Sequence, residues 1–427
     1  MTNGASDFAL GIDIGTSGVR TAVVNGNGSV IGTAKASHAS TSNEDALAWW
    51  DAVSRALDTQ IQQLQTLGID PQHISRAAVD GTSGSIVLVD DQLTPVTPAL
   101  LYNSSGFTPE AERINHFAEP TSITRGSSSA LARMLHLQAH DKAGKAKHLM
   151  HQADFITAKL AGTSLGSDDN NALKLGWDPE TCRWPSWFEA LGVRTEILPD
   201  VHRTGTPIAT LGGDIAKRFA LSPTLQLHAG TTDSIAAFLA SGGRHVGDAV
   251  TSLGTTLAIK LLSDKRIDDP VSGVYSHKVG NSWLAGGASN TGGGVLAAFF
   301  TSDELTALSA QIDPKTPSDL DYYPLLKPGE RFPINDPDLA PRLAPRPQSD
   351  ADFLKGMLES IARIEAQGYA RLTELGAPAP KRVLTAGGGA KNPVWTAIRE
   401  RHLGVPIVQA DESEASVGVA RLCWRAT

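Results

Sequence analysis

One order of elements runs twice through this chain, and it constrains the fold more than any single motif. "FALGIDIG" (8–15) is nearly all apolar, as in a strand buried on both faces. "VRTAVVN" follows the turn "TSG", and "SVIGTAK" follows "GNG", so the opening segment predicts a three-stranded antiparallel meander. A helix comes next over 45–68, with Leu47, Trp50, Val53, Leu57, Ile61 and Leu64 stepping by three or four along one face. "ISRAAVDGTSG" then reads as a strand ending in a glycine turn. The pattern restarts at "DAVTSLGTTLAIKLL" (248–262) and "SGVYSHKVGNSWLAGGASN", passes a Pro-rich stretch (313–347), and continues through the helix "ADFLKGMLESIARIEAQGYARLTELG" (351–376), the strand "RVLTAGGG", the helix "PVWTAIRERHLG" and the strand "VPIVQA". Sequence identity between the halves is negligible, so the repeat is one of topology. It predicts an α/β protein of two halves with a cleft between them.

Length agrees, because 427 residues exceed one typical compact core. Between the series, residues 107–165 read as mainly helical. His136 and His140 are four apart there, but the glutamate of a metalloprotease HExxH is missing, so they read as ordinary packing and no metal is assigned to them.

Glycine turns punctuate the strand ends: "DIGTSG" (13–18), "DGTSG" (80–84), "AGTTDS" (229–234), "LGTT" (253–256) and "AGGGAKN" (386–392). Such turns aim consecutive N–H groups at an anion, and a following helix start adds a favourable dipole, so phosphate is the expected guest. Each is also an ordinary hairpin or strand-to-helix turn. Neither familiar nucleotide pattern fits, since Lys391 follows Ala390 and precedes Asn392, and "GIDIGTSG" has the wrong glycine spacing for a dinucleotide fingerprint. Asp13 ends an apolar strand, where a carboxylate is costly unless it faces a cleft, a metal or backbone donors. Asp233 precedes a predicted helix, where local reasoning favours an N-cap over a substrate contact.

A formal charge of −8 with no long basic block argues against nucleic acid or an anionic membrane surface as partner. Cys182 and Cys423 are too few for a disulfide framework or a Cys-rich zinc site. The N-terminal "MTNGASDFAL" lacks a basic region followed by an apolar stretch, and no run approaches a membrane span, so a cytoplasmic protein is expected.

Taken together, the turns resemble those of the FGGY carbohydrate kinases, within the actin, hexokinase and Hsp70 superfamily. "GIDIGTSGVRTAVVNGNGSVIG" resembles the first phosphate motif, "VDGTSGSIVLVD" the sugar-proximal motif, and "AGTTDSIAAFLASG" the motif of the catalytic Asp. "TSLGTT" resembles the second phosphate motif and "LTAGGGAKNPVW" the adenosine motif. Within the family, "SDDNNALKLGW", "SGVYSHKVG" and "LDYYPLLKPGERFPI" resemble the compact cyanobacterial and plant D-ribulose kinases. Where other members carry a Trp-x-Asp-x-Arg segment this chain has "LLYNSSG", so their sugar contacts there do not transfer.

The resemblance implies two ribonuclease H-like domains around a central cleft, an N-terminal one over 1–240 binding sugar and a C-terminal one over 241–427 binding ATP. It implies Asp233 as general base on a sugar hydroxyl, and Asp13 as the residue that holds Mg²⁺ and approaches the same sugar. Thr16 and Ser17 would contact the transferring phosphate, and Ser83 the sugar. Gly254, Thr255 and Thr256 would line the phosphate side of the ATP site, and Gly387, Gly388, Asn392 and Trp395 would hold ADP phosphate and adenosine, with helix packing as the other role open to Trp395. The implied reaction is ATP-dependent phosphorylation of D-ribulose to D-ribulose 5-phosphate, with D-xylulose as the rival substrate. A non-catalytic nucleotide-binding protein of the same architecture and a phosphohydrolase are the readings from other classes.

Overall fold

Seven consecutive buried residues make the first strand, Phe8–Ile14, and neighbours on both sides explain why it is apolar throughout. It pairs antiparallel with Gly18–Asn25, which pairs with Val30–Ser37, and on its other side it runs parallel to Ile74–Gly81. That strand is parallel to Gln226–Thr232, and Pro207–Thr210 closes the edge of a six-stranded sheet. The structure, a computed structural model, describes residues 7–39, 44–269 and 271–424. It divides into two compact units, Met1–Ala240 with Glu414–Thr427, and Ser241–Ser413.

Helix Ala46–Thr66 covers one face of the first sheet, and Asp45 caps it by accepting the Leu47 amide at 2.9 Å. The expected stripe needs two corrections: Leu47 is 47% exposed, and Trp49 rather than Trp50 is fully buried. Both tryptophans suit a spacing of three or four. Packing decides between them, because Trp49 meets Phe155 edge-to-face at 6.2 Å. The segment expected to be mainly helical contains helices Thr108–Asn115, Ala130–His140 and Gln152–Ala161, but also a strand, His148–His151, antiparallel to Ile86–Val89. His136 packs on Phe107 and His140 and reaches Glu110 at 3.0 Å.

The second unit carries another six-stranded sheet in the order Tyr275–Val279, Ser282–Ser289, Leu257–Ser263, Asp248–Leu253, Arg382–Ala386, Ile407–Gln409. The last three run parallel, as in the first sheet's centre. Here the repeat is looser than expected, because Ser282–Ser289 takes the third meander position and Tyr275–Val279 is an added edge strand. Helix Asp350–Glu374 lays Phe353, Leu354, Met357, Leu358, Ile361 and Leu372 into the core. It also buries Glu365, whose carboxylate receives Arg399 Nε (2.6 Å) and Nη2 (2.7 Å) from helix Pro393–Leu403.

Helix Ala415–Leu422 packs within the first compact unit. It lies against helix Asp233–Ala240 and the first strand so closely that neither side tolerates a side chain. A β-carbon at Gly418 would sit 1.7 Å from the Ala236 carbonyl oxygen, and one at Gly11 would sit 1.9 Å from that of Ser416. Backbone-to-backbone approach of this kind needs glycine at both positions.

Candidate active site

The three central parallel strands of the first unit end together. Asp13 and Asp80 are register partners, as are Asp80 and Thr231, and Asp233 follows two residues later as the first residue of helix Asp233–Ala240. Side chains on adjacent strands at one register face the same side of a sheet, so the chain delivers carboxylates to one spot. Burial pushes the Asp13 carboxyl up to about 6; a hydrogen bond from Asp80 offsets part of this, the Asp233 charge adds to it, and Arg20, 3.5 Å away, lowers it again. Asp80 is fully buried, and burial followed by the Asp13 and Asp233 charges holds its carboxyl well above the usual range. Asp80 was not nominated from sequence, although it holds the place in "DGTSG" that Asp13 holds in "DIGTSG".

Asp233 carries a trace of both readings left open above. Its Oδ1 accepts the Ser234 amide at 2.6 Å, which ties it to the helix start, yet the residue is part-exposed and its charge is felt at Asp13 and Asp80. Thr16 and Ser17 are exposed at the tip of a tight turn closed by Gly15 N–H on Gly18 O at 2.9 Å. Ser83 lies in the turn after Ile74–Gly81, and among the described residues nothing hydrogen-bonds to its buried hydroxyl. Its neighbours in that turn are engaged: Thr82 gives its N–H (3.0 Å) and hydroxyl (2.8 Å) to Gln152 Oε1, and Ser85 Oγ accepts the Tyr102 amide at 2.9 Å.

In the second unit a cavity of about 770 Å³ is lined by Gly254, Thr255, Gly388, Asn392 and Trp395 together. Thr256 and Gly387 are not among its lining residues. The Gly-Thr turn is tied to a helix start, since Gly293 N–H donates to Gly254 O (2.8 Å) and Gly294 N–H to Thr255 O (2.9 Å). Leu296, Ala297, Leu305 and Val394 give the cavity apolar walls suited to a planar base. None of these was singled out from sequence, although "TGGGVLAAFF" (291–300) carried the cue of a glycine run opening a helix. The Asn392 amide is committed: Oδ1 caps helix Pro393–Leu403 through the Val394 and Trp395 amides (both 3.1 Å), and Nδ2 donates to Ser309 Oγ at 2.8 Å. Trp395, 2% exposed, belongs to the apolar core and supports Gly389 from beneath.

Carboxylate oxygens suit Mg²⁺, a hard cation that usually keeps several waters and phosphate oxygens beside one or two protein ligands. Asp13 supplies such oxygens, and among the described residues no group of three or more His, Cys, Asp or Glu is arranged to hold an ion unaided. The residues fit an ion that arrives with a nucleotide's phosphates.

The description of the FGGY family of carbohydrate kinases, N-terminal domain, matches residues 8–240, and that of its C-terminal domain matches 249–427. A xylulose kinase of Escherichia coli is 23% identical over 415 residues, covering 90% of this chain and 83% of that enzyme. One of Streptomyces rubiginosus is 27% identical over 298 residues, 64% of this chain but 58% of that enzyme's length. The crystal structure of a xylulose kinase from Rhodospirillum rubrum superposes with a TM-score of 0.83 at 22% identity, over 97% of this chain and 89% of that one.

Proposed function

This chain belongs to the FGGY family of carbohydrate kinases, and we propose that it transfers the γ-phosphoryl group of ATP to a ketopentose, with D-ribulose as the substrate and D-ribulose 5-phosphate as the product. The observation that carries this reading is the convergence of Asp13, Ser83 and Asp233 just at or after the carboxyl ends of three adjacent parallel strands, where α/β sheets commonly bind their ligands.

Phosphoryl transfer has a loose transition state, so orientation and charge neutralisation matter more than a strong base. Asp233 orients a sugar hydroxyl and accepts its proton late, as the new O–P bond forms and the bond to ADP breaks. Ser83 offers its free hydroxyl to the sugar. Thr16, Ser17 and the turn amides beside them meet the transferring phosphoryl oxygens. Asp13 would hold Mg²⁺, which when bound would offset the negative charge of the phosphates. The glycine turns at 254 and 388 receive the nucleotide's phosphates, and the apolar walls of the cavity receive its base.

D-Xylulose, which differs from D-ribulose only in configuration at C3, is the second reading, favoured by the names of the relatives. ADP release measured with each sugar, and with none, separates the two and also tests for a phosphohydrolase. Asp233→Asn is expected to lower sugar-dependent turnover by about 10²- to 10⁴-fold while the protein stays folded. A variant with near-normal turnover returns Asp233 to a helix-capping role and removes this mechanism.

A further inference from the structure

Arg133 is 2% exposed, and among the described residues no carboxylate forms an ion pair with it. Its guanidinium is instead surrounded by carbonyl oxygens. Nε (3.2 Å) and Nη2 (2.9 Å) both donate to Gly84 O, while Nη1 donates to Ser128 O (2.6 Å), Tyr102 O (3.2 Å) and Ser104 O (3.2 Å). Burial pulls its pKa down to about 10, so it remains a cation at neutral pH. A buried charge without a counter-ion is expensive to keep, and filling the same space with an apolar side chain would be cheaper. What an arginine adds is geometry: a planar fork that fixes several peptide planes at once.

Those planes belong to three separate segments around Ser83. Gly84, with φ +82, is turned so that a β-carbon there would sit 2.9 Å from Arg133 Nη2, and the turn is therefore shaped around the guanidinium. Gln152 grips the same turn at Thr82, and Ser85 links it to the Tyr102 amide. Between these two grips stands Ser83, whose buried hydroxyl has no hydrogen-bond partner among the described residues. Tyr102 and Ser104 lie in "LLYNSSG", where the sequence departs from the family's usual sugar-contacting segment.

We propose that Arg133 is a positioning residue for the sugar: by pinning the carbonyls of Gly84, Tyr102, Ser104 and Ser128 it holds Ser83 and the 102–104 backbone as one preformed wall of the ketopentose site. This rests on reading Ser83 as a sugar contact. Lysine keeps the charge but offers a single ammonium, which cannot place two N–H groups on Gly84 O while reaching the 102–104 carbonyls.

The test compares wild type with R133K and R133Q, measuring KM for sugar at saturating ATP, KM for ATP at saturating sugar, and thermal stability. The expected result is a sugar KM raised about 10-fold or more in the folded variants, with KM for ATP within about 2-fold of wild type. Unchanged sugar KM in a folded variant, or a parallel rise in both KM values, overturns the proposal, and so does failure of both variants to fold, which would make Arg133 purely architectural. Wild-type protein inactive on both ketopentoses would instead refute the sugar-kinase reading itself, so the two failures are distinguishable.

Discussion

Arg399→Met is expected to destabilise the second unit far more than loss of packing explains, and a second substitution is expected to repair it. Both Arg399 and Glu365 have fully buried side chains. Arg399 spends three donors on Glu365 and Thr385, the last at 2.8 Å, and Thr251, the register partner of Thr385, donates its hydroxyl to Glu365. Remove the guanidinium and the Glu365 carboxyl is left in the core with one neutral donor, Thr251. Breaking a buried pair from one side costs about 3–5 kcal/mol, whereas replacing both partners by apolar residues of similar volume is often neutral. Arg399→Met alone should therefore lose about 4 kcal/mol, and Arg399→Met with Glu365→Leu should return to within about 1–2 kcal/mol of wild type. For a domain of this size that single-variant loss corresponds to a fall in Tm of about 10 °C. Hydrogen exchange of amides in Arg382–Ala386, followed across a urea series, reads the opening free energy of this unit by itself. A single variant losing under about 1 kcal/mol, or a double variant no more stable than the single, would refute the reasoning.

Three further outcomes are expected. Ala297→Trp places a large ring in the cavity of the second unit and should raise KM for ATP about 10-fold or more with sugar KM unchanged; steady-state ADP release checks it. Gly418→Ala forces a methyl group onto the Ala236 carbonyl and should cost about 3 kcal/mol, seen as faster proteolysis around 415–422. His228 is buried and its Nδ1–H donates to Gly205 O at 2.7 Å, and burial holds its pKa below the ordinary 6.5. The unfolded chain thus binds a proton more readily than the folded one. The neutral ring's contribution is complete above about pH 6.5 and is lost as pH falls through the folded value. Urea midpoints should accordingly drop more steeply for wild type than for His228→Gln between about pH 7.5 and 5, and parallel curves would contradict this.

Much of this molecule could be read from local pattern. The strand Phe8–Ile14 is an apolar run closed by a glycine turn, and the glycine turns along the chain mark the places of Asp13, Ser83 and Asp233. What escaped was set by contacts distant in sequence. Trp49 rather than Trp50 faces inward because Phe155, a hundred positions on, lies there. Asp80 gains meaning only beside Asp13 on the neighbouring strand, and Arg133 only from carbonyls on three separate segments. Asn392 illustrates a residue type with two chemistries, capping and ligand contact, between which sequence offers no choice; here the side chain caps.

The return of helix Ala415–Leu422 to the first unit has a consequence for how the protein is made. A ribosome has emitted all of the first sheet long before it reaches position 415, so the face around Gly11 and Ala236 waits uncovered while residues 241–413 are translated. The second unit, continuous in sequence, can settle first, and the nascent N-terminal portion closes last. A fragment cut after Ala240 would lack this covering piece however well its strands pair, whereas one with 414–424 fused behind it would have every part it needs.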